Sequence, residues 1–346
     1  MYGRGAIDDK AMLAANIAVM VALKRSSARL ARDVIFLATD DEEQGGPASI
    51  KAVIEKYWDK IACAYALNEG GRSALVDGKV QYVGIQASEK VSYNVTVTAT
   101  GPSGHGSMPR PDNAVVHLAA AIEKIGNYQV PAQPSTITLR YFEQLSKIEG
   151  DDVAKWMRAL EQPERTDLAV KHLSEQSPMW SSMLRDSIAP TMMQAGIRVN
   201  VIPSEATANL NVRMLPGHSI DALVAQLEKV VNDPQIRFHL AEDSGENAPP
   251  SDITTPLYTT IEHQTPQDFP GAIALPFLST GATDSASLRL HKVQAYGIEP
   301  FPLSEDDESR MHGDNERMPL DSFHKGVAFL YHVVSNFAST VSPGSK

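Results

Sequence analysis

Four consecutive carboxylates, Asp40, Asp41, Glu42 and Glu43, follow the apolar run Val34-Ile-Phe-Leu-Ala38. The run reads as a buried strand, and open parallel sheets bind ligands beyond the carboxyl ends of their strands. A second such run, Cys63–Leu67, leads into Asn68-Glu-Gly-Gly71, and Asp8 precedes a helical pattern on the same rim. Carboxylates brought together repel, and some must protonate unless a cation neutralises them. No lysine or arginine adjoins Glu42–Glu43, so a divalent ion is the simplest partner. Carboxylate and imidazole ligands together suit zinc, with manganese or cobalt as alternatives. The imidazole is available at His312, in Arg310-Met-His-Gly-Asp-Asn-Glu-Arg317. Taken singly, each residue has a plainer reading: Asp8 and Asp9 as a helix cap, the acidic run as a solvated helix start, Glu69 as a turn residue, His312 as exposed. Their order and flanking residues carry the metal reading.

The rest of the composition narrows the classes. The 346 residues carry 31 basic and 42 acidic side chains, a net charge of −11. That balance argues against binding nucleic acid, which needs a basic face. No membrane span is expected, because no apolar run approaches the ~20 residues one requires. Cys63 is the single cysteine, which excludes an internal disulfide and a cysteine zinc cluster; its apolar setting predicts a buried small residue. No glycine-rich phosphate loop follows a strand, so nucleotide binding is set aside. The N-terminus carries no visible secretion signal and opens as if inside a domain, leaving the compartment open between cytoplasm and periplasm or exterior.

The elements that must position the acidic rim follow from periodicity. Lys10–Arg25 is helical, with Leu13, Ile17, Met20, Val21 and Leu23 as its apolar positions. Strand Val34–Ala38, helix Pro47–Tyr57 and strand Cys63–Leu67 predict parallel pairing through right-handed crossovers. Asp77-Gly78 between two short apolar runs predicts a hairpin. From Val91 to Ala99 the residues alternate, as in a strand with one wet face. A helix over 113–125, strands over 191–199 and 206–213, a helix over 220–231 and a strand over 235–240 make an α+β module. Val153–Leu184 reads as a helical insertion, and Glu242–Ser251 as a polar linker. Strand 272–278, helix 283–290, strand 293–297 and a closing helix over 321–337 return to the first style. The expected fold is therefore α/β, a mostly parallel sheet with flanking helices built from 1–88 and 249–346, interrupted by an α+β domain at 89–248.

These segments resemble a known family, the metallopeptidases and amidohydrolases that include acetylornithine deacetylase, succinyl-diaminopimelate desuccinylase, aminoacylase and carboxypeptidases G and S. The resemblance rests on Tyr2-Gly-Arg-Gly-Ala-Ile-Asp-Asp-Lys10, Thr39–Gly46, Asn68–Gly71, Gly101-Pro-Ser-Gly-His-Gly-Ser107, Asn200–Ala206 with Asn211-Val-Arg213, Thr280–Ser285 and Met311–Arg317. The helical insertion and the residues before Asn200 lean towards the carboxypeptidase S-like branch. The resemblance implies a phosphorylase/hydrolase-like catalytic domain with an inserted ferredoxin-like lid and dimerisation domain. It implies one or two zinc-class ions and hydrolysis of an amide bond beside a free carboxylate, in an N-acyl amino acid or dipeptide. Asp8 would bridge two ions, Glu43 and His312 would complete one shell, and Glu69 would belong to the other. Glu42 would be the general base toward the attacking water. His105 would reach the partner subunit's site in a homodimer as an oxyanion donor, while Asn200 and Arg213 would hold the substrate. The family also carries a His-x-Asp segment ahead of the Tyr-Gly-Arg-Gly stretch, which these residues do not include. The expectation is one ion held well, a second held weakly, and low activity; the alternative is a catalytically impaired relative keeping fold, dimerisation and partial metal binding.

Overall fold

The computed structural model describes residues 1–26, 29–40, 42–44, 49–241 and 245–339. Asp41, the start of the helix expected from Pro47, and residues 242–244 of the linker lie outside them. The chain opens with α1 (Lys10–Ser26), a short 3₁₀ turn at Glu42–Gln44 and α2 (Ile50–Ile61), then β1 (Tyr65–Asn68), β2 (Arg72–Val76) and β3 (Lys79–Glu89). It continues through β4 (Val91–Thr100), β5 (Gly104–His105), α3 (Ala114–Asn127), α4 (Thr136–Leu145), α5 (Asp151–Ala159), α6 (Thr166–Gln176), α7 (Pro178–Leu184), β6 (Ser187–Ala195), β7 (Val201–Ile202), β8 (Glu205–Met214), α8 (Ile220–Val231) and β9 (Ile236–Leu240). It closes with α9 (Pro256–Asp268), β10 (Ile273–Ser279), α10 (Ser285–Leu290), β11 (Gln294–Gly297), β12 (Pro302–Leu303), α11 (Glu305–Glu308) and α12 (Leu320–Ser339).

The larger sheet is mixed, with three of its five pairings parallel. Strands β1 and β11, β10 and β3, and β12 and β2 pair in parallel, whereas β2 and β11 each run antiparallel to β3. The antiparallel part comes from the β2–β3 hairpin, whose turn residues Asp77 and Gly78 both have positive φ, as the tightest hairpin turn requires. The four-stranded sheet has the order β6-β8-β4-β9, with every neighbouring pair antiparallel. Along β4 the residues Val91, Tyr93, Val95, Val97 and Ala99 point inward, and on β8 Ala206, Ala208, Leu210, Val212 and Met214 do the same. Val95 lies opposite Leu210 and Val97 opposite Ala208, so the two alternations share one apolar face. Helices α3 and α8 add Leu118, Ile125, Leu223 and Leu227 to that core. Asn113 caps α3 through its side chain; Ser219 does so for α8, which ends on Asn232 in the left-handed region.

Four expectations shift. Val34–Ala38 is assigned to no strand, and Ile35, Phe36 and Leu37 are 50%, 38% and 40% exposed. A continuous apolar run records a demand for burial but not which neighbour supplies the ladder. On α1 the buried set is Ala11, Met12, Ala15, Val19 and Leu23, leaving Leu13, Ile17 and Val21 outward; the helix packs chiefly against α12. Cys63 is exposed, because β1 begins two residues later than expected. The helical stretch also starts at Thr136 rather than Val153. It packs in the larger core, where Tyr141 meets Phe277 edge-on with ring centroids 5.8 Å apart. No helix among the described residues is long and apolar enough to cross a membrane.

The closing helix lies close against the sheet at Gly326, where a Cβ would stand 2.2 Å from Phe301 Cδ1 and 3.0 Å from the Pro300 carbonyl oxygen. Phe301 is fully buried, so its ring has nowhere to retreat. Alanine in a helix interior gains about 1 kcal/mol over glycine, but overpacking of this kind costs about 1–3 kcal/mol. Gly326→Ala is expected to lower stability by up to about 2 kcal/mol net in urea denaturation; a more stable variant would contradict the packing described.

Candidate metal centre

The two ends of the chain meet at Glu316. Its carboxylate accepts from the backbone N–H of Ile7 at 2.8 Å, Gly5 at 3.0 Å and Asp8 at 3.4 Å, and from Arg4 Nη1 at 3.0 Å. Arg4 Nη2 also donates to the Gly313 carbonyl, 3.0 Å away. Around this clamp, Gly3 donates to the Glu316 carbonyl, the Met1 ammonium to the Met318 carbonyl, and Tyr2 bridges Arg317. The turn carrying Asp8 is thereby laid against the loop carrying His312. His312 itself sits at φ +60°, an uncommon conformation for a side-chain-bearing residue, held by Gly313 donating to the Arg310 carbonyl.

The result is a compact ligand set. His312 Nε2 lies 3.1 Å from Asp8 Oδ2, and His312 Nδ1 lies 3.5 Å from Glu43 Oε1. One donor atom from each of the three lies within 4.8 Å of the others. Glu43 and Glu42 are neighbours on the 3₁₀ turn, where successive side chains diverge by about 120°. Glu43 turns to His312, while Glu42 borders a cleft of about 160 Å³ shared with Glu89, Lys90, Thr283 and Asp284. This cleft lies where the chain crosses between the two sheets, at Glu89–Val91 and at Gly245–Glu246. Glu69 is set by the turn after β1. A Cβ at Gly71 would lie 2.2 Å from the Gly84 carbonyl oxygen and one at Gly70 would lie 2.0 Å from Gln86 Oε1, and both glycines have positive φ. Only glycine fits this double approach, and it brings Glu69 into contact with Asp8.

Charge crowding is visible in the acids. Partial burial, followed by the charges of Asp284, Glu43, Asp8 and Glu89, pushes Glu42 up to about 7. Partial burial and then Asp8 and Glu42 bring Asp9 to about 7. Glu69 rises far above the carboxylate range through burial and the charges of Glu42, Asp8 and Asp9. Among the described residues, none of Asp8, Asp9, Glu42, Glu43 or Glu69 forms an ion pair with lysine or arginine. Two carboxylate oxygens and an imidazole nitrogen in this span, surrounded by further acids without cations, fit a divalent ion of the zinc class. Asp8, Glu43 and His312 would hold it; Glu69 stands beside Asp8 as a further donor.

The sequence reading named these ligands and missed their surroundings. Glu316 was quoted in a motif without a role, although an acid between Asn315 and Arg317 in a loop that must fold tightly is a candidate amide acceptor. Asp284 accepts from Thr39 Oγ1 at 3.1 Å. Glu89 accepts from Gln86 Nε2 and Thr283 Oγ1, each at 2.7 Å, and pairs with buried Arg289 at 3.1 Å. Glu299 is pushed up by burial and by Asp9, Glu308 and Asp8. No local pattern marks these acids, because their neighbours come from distant segments. The spelling His-x-Asp does occur once, at His312-Gly-Asp314, but its histidine already serves the Asp8–Glu43 set.

His105, Asn200 and Arg213 do not join this cluster. His105 pairs with Val201 in the two-stranded ribbon β5–β7, and Gly106 donates to the Asn200 carbonyl at 2.8 Å, so His105 and Asn200 share one loop pair. Strand β4 leaves the centre at Val91 and ends at Thr100, a strand of 10 residues rising roughly 30 Å. His105 lies past that far end. Its Nδ1 accepts from the Ser107 N–H at 3.2 Å, which puts the ring proton of the neutral form on Nε2. Arg213 sits at the near end, opposite Ser92 and Ser187, with its Nε donating to Asn211 Oδ1 at 3.0 Å; burial lowers its pKa.

A mixed α/β domain carrying an acidic, imidazole-containing rim and an interposed antiparallel module defines a metallopeptidase-type scaffold. The chain belongs to peptidase family M20/M25/M40, whose model matches residues 1–336. It is 27% identical over 346 residues to probable carboxypeptidase S-like 2 of Dictyostelium discoideum, covering 97% of this chain and 65% of that protein. To human N-fatty-acyl-amino acid synthase/hydrolase PM20D1 it is 26% identical over 355 residues, covering 100% and 69%. The chain thus spans about two thirds of the length of these curated relatives. Among solved structures, the M20 family metallo-carboxypeptidase Sso-CP2 of Sulfolobus solfataricus superposes with a TM-score of 0.65 at 17% identity, covering 97% of this chain and 77% of that one. The YXEP protein of Bacillus subtilis, a dinuclear metal-binding peptidase of the same family, gives 0.56 at 13%, covering 95% and 71%.

Two outcomes are expected. Zinc at a hundredfold excess over its Kd should stabilise the protein by about 2.7 kcal/mol, and His312→Ala should abolish the shift; an unchanged shift in that variant would place the ion elsewhere. Glu316→Gln should cost about 2–3 kcal/mol, since a charge-assisted acceptor of several amides is lost. Burial alone would raise the Glu316 pKa, but the amides of Ile7, Gly5 and Asp8 and the Arg4 charge hold it below 4.5. A depressed carboxylate contributes its full stability above the unfolded value and loses it as pH falls through the folded one. The penalty of Glu316→Gln should therefore be largest above about pH 5 and shrink on acidification, read from denaturation midpoints across pH.

Proposed function

We propose that this chain is a metal-dependent amide hydrolase acting on N-acyl amino acids or dipeptides next to a free carboxylate. The observation that carries the reading is the convergence of Asp8, Glu43 and His312, with Glu42 turned from them into the cleft between the sheets. A bound zinc-class ion, with manganese or cobalt as alternatives, would polarise the scissile carbonyl and acidify water. Glu42, next to the ligand Glu43 and bordering the cleft, takes the proton from the attacking water and passes it to the leaving amine. Thr39 steadies Asp284 beside it. Arg213 keeps its Nη groups for the substrate carboxylate, a planar match, and Asn200, on the loop that carries His105, would offer its side-chain amide to the substrate backbone in the partner's site.

The reading divides the chain at 88/89 and 248/249, with the intervening module as lid and dimerisation domain. In support, once the ribbon β5–β7 and helices α4–α7, which pack in the larger core, are set aside, β4-α3-β6-β8-α8-β9 is a β-α-β-β-α-β succession, the ferredoxin-like order. Its edge strand β6 is open, with Met192 and Met193 outward and Ile197 and Val199 beyond it 97% and 108% exposed. An open apolar edge of this kind pairs readily with a second copy. In a homodimer His105, far from its own centre, presents Nε2–H to the oxyanion forming in the partner. The names of the relatives, carboxypeptidase S-like and N-fatty-acyl-amino acid hydrolase, agree with an N-acyl amino acid or peptide substrate.

Turnover of a panel of N-acyl amino acids and dipeptides, with and without chelator, tests this directly. Chelator-sensitive hydrolysis is expected, and Glu42→Gln should cut it by at least about 10²-fold while leaving zinc stabilisation intact. Absence of hydrolysis across the panel, with zinc still bound, would overturn the assignment. Mixing Glu42→Gln with His105→Ala subunits should restore part of the activity lost in each; no recovery from a demonstrated mixed dimer removes His105 from the site.

A further inference from the structure

The chain passes between the two cores at Glu89–Val91, where β3 gives way to β4, and again at Arg185–Ser187, where α7 gives way to β6. Adjacent residues of opposite charge stand at the first passage: Glu89 and Lys90 are 4% and 1% exposed. Glu89 is fastened within the larger module by Gln86, Thr283 and Arg289. Lys90 is fastened to the second passage. Its Nζ donates to the Arg185 carbonyl at 2.8 Å, to Ser182 Oγ at 3.0 Å and to Ser187 Oγ at 3.1 Å, one acceptor for each N–H of an ammonium. None of these acceptors carries a charge. Burial pulls the Lys90 pKa down to about 7, with Asp186 opposing the shift and Arg213 adding to it. A buried cation held by neutral groups gains little stability over an apolar side chain of the same size. What it supplies is direction: one atom, carried between β3 and β4, meets acceptors spread over the end of α7 and the start of β6.

The same contacts reach Arg213. On the strands flanking β8, Ser187 and Ser92 are both register partners of Arg213. Ser92 lies two residues after Lys90, and Ser187 is its hydrogen-bond partner. Asp186, between Arg185 and Ser187, accepts from the Leu215 N–H at 2.7 Å, which ties the second passage to the chain just beyond Arg213. Lys90, Ser187, Arg213 and Ser92 thus form a closed circuit, while Glu89, on the other side of Lys90, borders the cleft with Glu42. We propose, on the reading that Arg213 grips the substrate carboxylate, that Lys90 is a positioning residue: by locking the start of β6 to the passage between β3 and β4, it sets where Arg213 stands relative to Glu42 and the ligand set.

The test is binding to the whole zinc-loaded chain in a Glu42→Gln background, which blocks turnover. N-acetyl-leucine and its C-terminal methylamide, which differ only at the carboxylate, are titrated by calorimetry. The acid should bind at least about tenfold more tightly. Arg213→Met should abolish that preference, and Lys90→Met should cut it at least about fivefold. The two together should lose no more than Arg213→Met alone. Ser187→Ala, which removes one bond and spares the charge, should lose part of the preference. Hydrogen exchange at amides 187–189 should quicken at least about tenfold in Lys90→Met, with amides 95–97 of β4 unchanged. A packing defect alone would instead speed exchange throughout the smaller module and weaken both ligands equally. A preference lost in Arg213→Met but intact in Lys90→Met would overturn the proposal, as would unchanged exchange at 187–189 in both Lys90→Met and Ser187→Ala. A preference absent from the parent, or intact in Arg213→Met, would overturn the role of Arg213 itself and the proposal with it.

Discussion

The carboxylate of Glu316 is the constraint on which the centre depends. It stands more than 300 residues from the turn it holds, and it satisfies three backbone amides of that turn together with Arg4. A tight loop ahead of a helix has donors that no ladder can use. A buried anion is the strongest acceptor available to them, and the amides in turn make the buried anion tolerable. Because the same residue follows His312 by four positions, fixing the amides also fixes where Asp8 lies relative to the imidazole. The separation of the three ligand atoms is thus a consequence of a structural clamp, with the ligands riding on it.

The second constraint opposes the first. Folding draws Asp8, Asp9, Glu42, Glu43 and Glu69 onto one rim, and the upward shifts of Glu42, Asp9 and Glu69 measure their mutual repulsion and partial burial. The sheets supply the compensating rigidity. Gly70 and Gly71 allow the Glu69 turn to press against β3, and the Glu89–Arg289 pair with Gln86 and Thr283 braces the floor. Such a site is favourable only as a receptor for positive charge, with Glu43 and His312 open to solvent and Glu42 bordering the cleft between the sheets.

Much of this was legible residue by residue. The alternation in Val91–Ala99 and Ala206–Arg213, the Asp77-Gly78 turn and the helical patterns over 113–125 and 220–231 are local statements, and they appear in the structure as β4, β8, the β2–β3 hairpin, α3 and α8. The Asp8, Glu43 and His312 set was also readable, since each lies in a short motif of glycines and acids whose order is informative. The inward face of α1 was not, because alanines stand among its buried positions while Leu13, Ile17 and Val21 point outward. Nor was the exposure of Cys63 or of Ile35, Phe36 and Leu37, since hydrophobicity does not name the neighbour that will cover it.

By itself, then, the sequence determined the kinds of element and the chemical character of the rim, because periodicity, turn residues and ligand types are properties of a few adjacent residues. Only the tertiary structure decided that the larger sheet is mixed, that the helices from Thr136 to Leu184 pack in the larger core, and that Glu42 faces the cleft while Glu43 faces His312. It alone placed Glu316, Asp284 and Glu89 around the ligands. Those outcomes rest on contacts between segments far apart in the chain, and no local pattern encodes the partner of a contact that exists only once the chain has closed on itself.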